Sequence, residues 1–162
     1  MARGIPKDPQ DNPTKNFNMA NSLTKDIEDA IGRETIDCDF IPDENGTQLI
    51  IRLAEKFSFE IKQLFMWANK NPAEVYDYQK TPNQWEHLLL RSLANFSDRI
   101  FLVVTNEDFF PWKVLDCKKD NCIKLLTELP YFEYFIFDDS MDYVLFDTHD
   151  NALILFHSNP TN

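Results

Sequence analysis

Glycine is nearly missing from this chain: 162 residues contain three. A phosphate-cradling loop needs glycines where backbone must approach the ligand, so a nucleotide-binding loop is not expected. Cysteine is as sparse, also at three, and Cys38, Cys117 and Cys122 are odd in number and irregular in spacing. That is no disulfide framework, and Cys117 with Cys122 lacks the further ligands of a zinc site. They read as free thiols in a reducing compartment. No stretch reaches the roughly eighteen apolar residues of a membrane helix. The first residues, MARGIPKDPQDNPTKNFNM, have no apolar signal-peptide core. A cytoplasmic protein without a membrane partner is the expectation. Basic charge is short too, with 16 Lys and Arg against 27 Asp and Glu and a net charge of −11. Phosphates demand Lys and Arg, so a nucleic-acid partner is not expected either. The balance suits a basic protein partner, or solubility alone.

Apolar material is plentiful, at 43% of residues with 14 Phe. That is enough for one core, and the length fits one domain. Residues 1–21 read as an arm outside the fold: Pro6, Pro9 and Pro13 stand among Asn and Asp with little periodicity. Met19 offers an alternative start, which would make residues 1–18 an upstream extension. From 22 to 162 the chain reads as a single α+β domain. Leu23, Ile27, Ala30 and Ile31 make one stripe of a helix over 22–33, with Gly32 suited to its end. Ile36, Cys38 and Phe40 alternate like a short strand or extended connection. Pro42 to Gly46 read as a turn, with Thr47 capping a second helix through Leu49, Ile50, Leu53 and Phe57. Ser58 can cap a third, through Ile61, Leu64, Phe65 and Ala68, or the two are one bent helix. Residues 71–80 read as a connection. Thr81-Pro82-Asn83-Gln84 has the spacing of a capping box before a helix through Trp85, Leu88, Leu89 and Leu93.

The pattern then changes. Ile100 to Val104 is an unbroken β-forming run, as in a central strand covered on both faces. Asn106 to Pro111 connects it to a returning strand over 112–117. Asp120 opens a short helix that Pro130 stops. Three runs follow, over 131–137, 143–146 and 152–157, joined by loops of hairpin length. Helices first and strands later make an α+β fold: N-terminal helices packed on a mainly antiparallel sheet that ends in a three-stranded meander.

The end of the chain carries the strongest functional signal. Lys124 is the last Lys or Arg, yet Glu128, Glu133, Asp138, Asp139, Asp142, Asp147 and Asp150 follow. Asp138, Asp139 and Asp142 share one hairpin loop, and Asp147 and Asp150 flank the next. Such carboxylates can steer and dock a basic partner, although Asp and Ser are also ordinary turn chemistry. Glu107, Asp108 and Phe109 form a second candidate patch, because an exposed phenylalanine among acids wants a partner surface. Trp67, Trp85 and Trp112 read as core before they read as docking anchors. Asp147, His149 and Asp150 offer the donors of a metal-dependent hydrolase, but no metal-binding motif surrounds them. No nucleophile motif is present, although Cys117 or Cys122 paired with His149 stays open. No cofactor and no resident metal are expected.

The segments IFLVV (100–104), FPWKVLD (110–116) and YFEYFIFDDSMDYVLFDTHDNALI (131–154) resemble a family of small, uncharacterised bacterial cytoplasmic proteins. That family has a Glu-Tyr strand, here Glu133-Tyr134, an aromatic on the next strand, here Tyr143, and a histidine turn, here His149. Its members tend to carry Trp at the position of Tyr143 and a histidine pair where this chain has His149-Asp150. In size, charge and layout the chain also resembles immunity proteins of bacterial toxin systems such as contact-dependent growth inhibition. That resemblance implies a non-enzymatic protein that binds a cognate toxin domain and blocks it. The acidic surface suits a toxin with a basic phosphate groove, of nuclease type, and the alternatives are the metal-dependent hydrolase or a regulatory or scaffold protein.

Overall fold

A computed structural model describes residues 13–158, with side chains from residue 22 onward. Within these residues seven strands form one wholly antiparallel sheet: β1 (Cys38–Phe40), β2 (Glu74–Asp77), β3 (Arg99–Val104), β4 (Lys113–Lys118), β5 (Tyr134–Phe137), β6 (Tyr143–Thr148) and β7 (Ala152–His157). Their order across the sheet is β1-β4-β3-β5-β6-β7-β2. Among the described residues four α-helices accompany it: α1 (Pro13–Glu34), α2 (Asp43–Phe57), α3 (Trp85–Ser92) and α4 (Lys119–Glu128). The expected α+β class and the closing meander β5-β6-β7 are both present.

Both faces of the sheet are covered. On one, Ile27 and Ala30 of α1, Leu89 of α3, and Cys122 and Leu125 of α4 pack on Ile100, Leu102, Leu115, Ile136 and Leu145. On the other, Ile50, Leu53 and Ala54 of α2, with Phe59 and Met66 beyond it, pack on Val103, Val114, Phe135, Val144 and Phe146. Successive strand residues point to opposite faces, so a strand buried on both sides reads as a continuous apolar run. This is why β3 and β5 look like Ile100 to Val104 and Tyr134 to Phe137. Each fully buried Leu, Ile or Phe contributes about 1.5–3 kcal/mol. Gly46 lets α2 lie close on β4, since a Cβ there would stand 2.9 Å from Val114 Cγ2.

Several expectations need correction. Residues 13–21, read as part of the arm, are helical backbone within α1; residues 1–12 lie outside the described residues. Residues 43–46, read as a turn, form the first turn of α2, with Pro42 as its N-cap. Asp43 and Glu44 there favour the positive end of the helix dipole. The third helix, from Ser58, does not form. Ser58 instead ends α2 in the left-handed region, at φ 56°. The stretch read as a connection over 71–80 contains β2, an edge strand on β7. Thr81 makes no side-chain cap bond, and a 3-10 turn over Pro82–Gln84 leads into α3.

The shortage of glycine leaves a mark on the backbone. Among the described residues no glycine has positive φ, while Thr35, Ser58, Asn69, Asn106, Glu107, Met141 and Asn151 do. After α2, Ser58 N–H donates to the Glu55 carbonyl at 3.3 Å and Phe59 N–H to the Ala54 carbonyl at 2.9 Å. This is the Schellman pattern, in which glycine usually holds the left-handed position. Ser58→Gly is expected to stabilise the fold by about 0.5–1 kcal/mol, by relieving the left-handed penalty. A higher urea midpoint at unchanged m-value would register it.

Candidate functional site

Consecutive turns of the meander lie at opposite ends of the sheet, so the acidic candidates divide into two groups. At the first end the β5–β6 turn carries Asp138, Asp139 and Asp142. Asp138 does not face a partner: it is 3% exposed. Its Oδ2 accepts from Ser97 N–H at 2.9 Å and Ser97 Oγ–H at 3.1 Å. Its Oδ1 accepts from Ser140 N–H at 3.1 Å and Ser140 Oγ–H at 2.6 Å. Burial alone would raise its pKa, but the bonds from Ser140 and Ser97 outweigh burial and hold it below the ordinary carboxylate value. Asp142 lies 3.4 Å from Lys56 Nζ, a cation supplied by α2. Among the described residues, Asp139 alone of the three is exposed without such a partner.

The lowered pKa of Asp138 has a consequence in acid. Between its folded value and the unfolded value of about 3.9, the unfolded chain binds more protons than the native one. Stability is therefore present above that window and falls as pH drops through it. Urea midpoints measured downward from about pH 5 are expected to fall in the native protein, and to fall less steeply in Asp138→Asn.

At the other end stand the β3–β4 loop, Glu133 just before β5, and the β6–β7 turn. Asp147 belongs here by position but is fully buried. Its Oδ1 accepts from Tyr78 Oη–H at 2.6 Å, and its Oδ2 from Trp85 Nε1–H at 2.7 Å and Tyr134 Oη–H at 2.7 Å. Burial pushes its pKa up against the opposing pull of these three donors. Asp147 thus ties the segment before α3, the start of α3 and β5 to β6, and its buried carboxylate offers no exposed surface to a partner. The hydrolase triad of Asp147, His149 and Asp150 is not assembled. β6 ends at Thr148, and His149 turns instead toward Glu133, with Nδ1 3.2 Å from Glu133 Oε2. His149 also packs against Phe65, the rings tilted at 32° with centroids 4.8 Å apart. The cysteine–histidine alternative gains no support either: all three thiols are buried, and a hydrogen bond with Cys122, against the pull of one with Cys38, together with burial pushes the Cys117 thiol far up.

What this end does expose is a mixed acidic and aromatic surface. Glu107 and Asp108 are exposed, and Phe109 is 65% exposed. Phe110 turns inward and meets Trp112 edge-on at 5.4 Å. Trp112 is buried, while Trp67 and Trp85 pack partly buried against the two cores, in keeping with the core reading. Asp150 has 72% of its side chain exposed. Tyr131, 54% exposed, stands among these acids: burial, then Asp147, Glu133, Glu107 and Asp150, push its phenol far up. Among the described residues no Lys or Arg pairs with Glu107, Asp108 or Asp150. Tyr131 also borders a cleft of about 440 Å³ walled by Tyr78, Trp85, Pro130 and Tyr134.

Two participants went unread in the sequence. Tyr78 gave no signal, sitting in an apparent connection. Glu133 as the partner of His149 was within reach, because both belong to the motif that carried the family resemblance. Compared with protein-family models, with curated proteins and with solved structures, the chain gives no match. Among the described residues no helix is long and apolar enough to cross a membrane.

Proposed function

We propose that this protein is a cytoplasmic immunity-type inhibitor that binds a basic bacterial toxin domain, of nuclease class, and blocks its phosphate-binding groove. The observation that supports it most is the grouping of Phe109 and Tyr131, both more than half exposed, with the carboxylates of Glu107, Asp108 and Asp150. Aromatic anchors ringed by polar groups are the usual energetic centre of an interface. Uncompensated carboxylates give the charge complementarity that speeds encounter with a cationic groove. The rigid sheet beneath lets the surface bind without prior ordering, which lowers the cost of association.

Of the earlier candidates, Glu107, Asp108, Phe109 and Asp150 stay in this surface. Asp138 and Asp147 leave it because they are buried, and Asp142 because Lys56 offsets it. The test is binding to the domain encoded by the adjacent gene, followed by assay of that domain's nuclease activity. Stoichiometric binding with loss of nuclease activity would bear the proposal out. A neighbour that is no toxin, with no binding to any basic toxin domain, would refute it. Binding that survives removal of these charges would favour the scaffold alternative.

A further inference from the structure

Beside the exposed surface, three side chains converge on one point. Glu107, Glu133 and His149 each place one donor atom so that all three lie within 4.8 Å of one another. We propose that these residues bind a single divalent cation of the zinc class, at a site that borders the docking surface and shares Glu107 with it. It is not the set that the sequence suggested, since Asp147 is committed elsewhere and Asp150 takes an outer role.

The donor set fits such an ion. Imidazole and carboxylate together suit zinc and its neighbours, and three protein ligands leave a position for water. Two ligand atoms roughly 2.1 Å from a tetrahedral zinc ion lie roughly 3.4 Å apart. The gap between His149 Nδ1 and Glu133 Oε2 is 3.2 Å, so this edge is already formed. The ion would take the place of this contact. Glu107 has to close in by at most roughly 1.4 Å, and it can, because its side chain is exposed on a loop.

The surroundings hold the ligands in place. The Glu133 side chain is 6% exposed. Its carbonyl accepts from Thr105 N–H, Thr105 Oγ–H and Asn106 N–H at 3.2, 2.9 and 2.8 Å. Both bonds to its carboxylate go to Oε2, and among the described residues Oε1 has none. His149 Nε2 lies 3.5 Å from Asp150 Oδ1. An outer carboxylate on the far nitrogen of a ligating histidine fixes the ring and raises its basicity. Phe65 covers the ring from the side. Asn106 and Glu107 are both left-handed, at φ 45° and 60°, and this bends the loop back toward Glu133. Burial and, to a smaller degree, Glu107 push the Glu133 pKa up, against the pull of His149. A dication would relieve that crowding of like charge.

The test is calorimetric titration of the full chain with Zn²⁺, and with Mn²⁺ in parallel. One Zn²⁺ per chain is expected, with the His149 imidazole NMR signals shifting on addition. Affinity is expected to fall about tenfold or more in Glu107→Gln and in His149→Ala. Asp142→Asn, at the far end of the sheet, should bind as the native chain does. Glu107 is exposed, so its variant keeps the fold, and metal-free melting curves verify this for both variants. Phe109→Ala should bind Zn²⁺ normally, which separates this outcome from that of docking. Absence of saturable binding of either ion, or binding that Glu107→Gln and His149→Ala leave unchanged, would overturn the proposal.

Discussion

Asp147→Ala is expected to destabilise the protein by about 3 kcal/mol or more, or roughly 10 °C in Tm for a domain of this size. The substitution removes one acceptor group and strands three donors, the hydroxyls of Tyr78 and Tyr134 and the indole N–H of Trp85. A buried donor left unmade costs about 1–3 kcal/mol, and water entering the vacated space recovers part of that. Asp147→Asn is a sharper probe because it keeps the shape. Its NH₂ would confront donors where a carboxylate oxygen accepted, so it too should destabilise. Chemical denaturation with a tryptophan fluorescence readout checks both. A stability change near zero would mean that the Asp147 network does not hold the fold together. The loss would come from the whole sheet, because the network joins β5 and β6 to the elements before and within α3.

Phe109→Ala should do the opposite: leave stability within about 0.5 kcal/mol and remove at least about 2 kcal/mol of binding, a roughly thirtyfold rise in Kd. Phe109 is 65% exposed and contributes little to either core, so the folded chain loses nothing with it. In a complex it would be the largest apolar side chain available on the β3–β4 loop. Neighbouring Phe110 serves as the internal control. It packs on Trp112, and Phe110→Ala should lower stability through lost burial. Calorimetry for binding and denaturant melts for stability separate the two effects. A Phe109→Ala variant that binds normally would move the interface away from this loop.

The strands were more legible than the site. β3 and β5 announce themselves because a strand covered on both faces has nowhere to put polar residues. β2 is the contrary case: Glu74-Val75-Tyr76-Asp77 is an edge strand with Val75 55% exposed, and its partner β7 lies at the other end of the chain. The false helix after Ser58 had apolar residues at helical spacing. Phe59, tied under the end of α2, and Met66 are instead buried from irregular backbone against the sheet. Among the acids, sequence supplied number and order but not depth. Asp138 and Asp139 are neighbours of identical chemistry, yet one is the buried staple of its turn and the other is exposed. Asp147 did carry a readable warning. It sits inside the strand run YVLFDT, and an Asp buried there is expected only with partners.

The most direct test of the docking surface compares charge reversal at the two ends of the sheet. Calorimetric titration with the neighbouring gene's basic domain would use Glu107→Lys with Asp108→Lys, and separately Asp139→Lys with Asp142→Lys. The first pair is expected to weaken binding at least about tenfold, with much of the loss in association rate at low salt. The second pair should leave binding unchanged. Equal loss from both pairs, or loss from the Asp139 and Asp142 pair alone, would contradict the assignment.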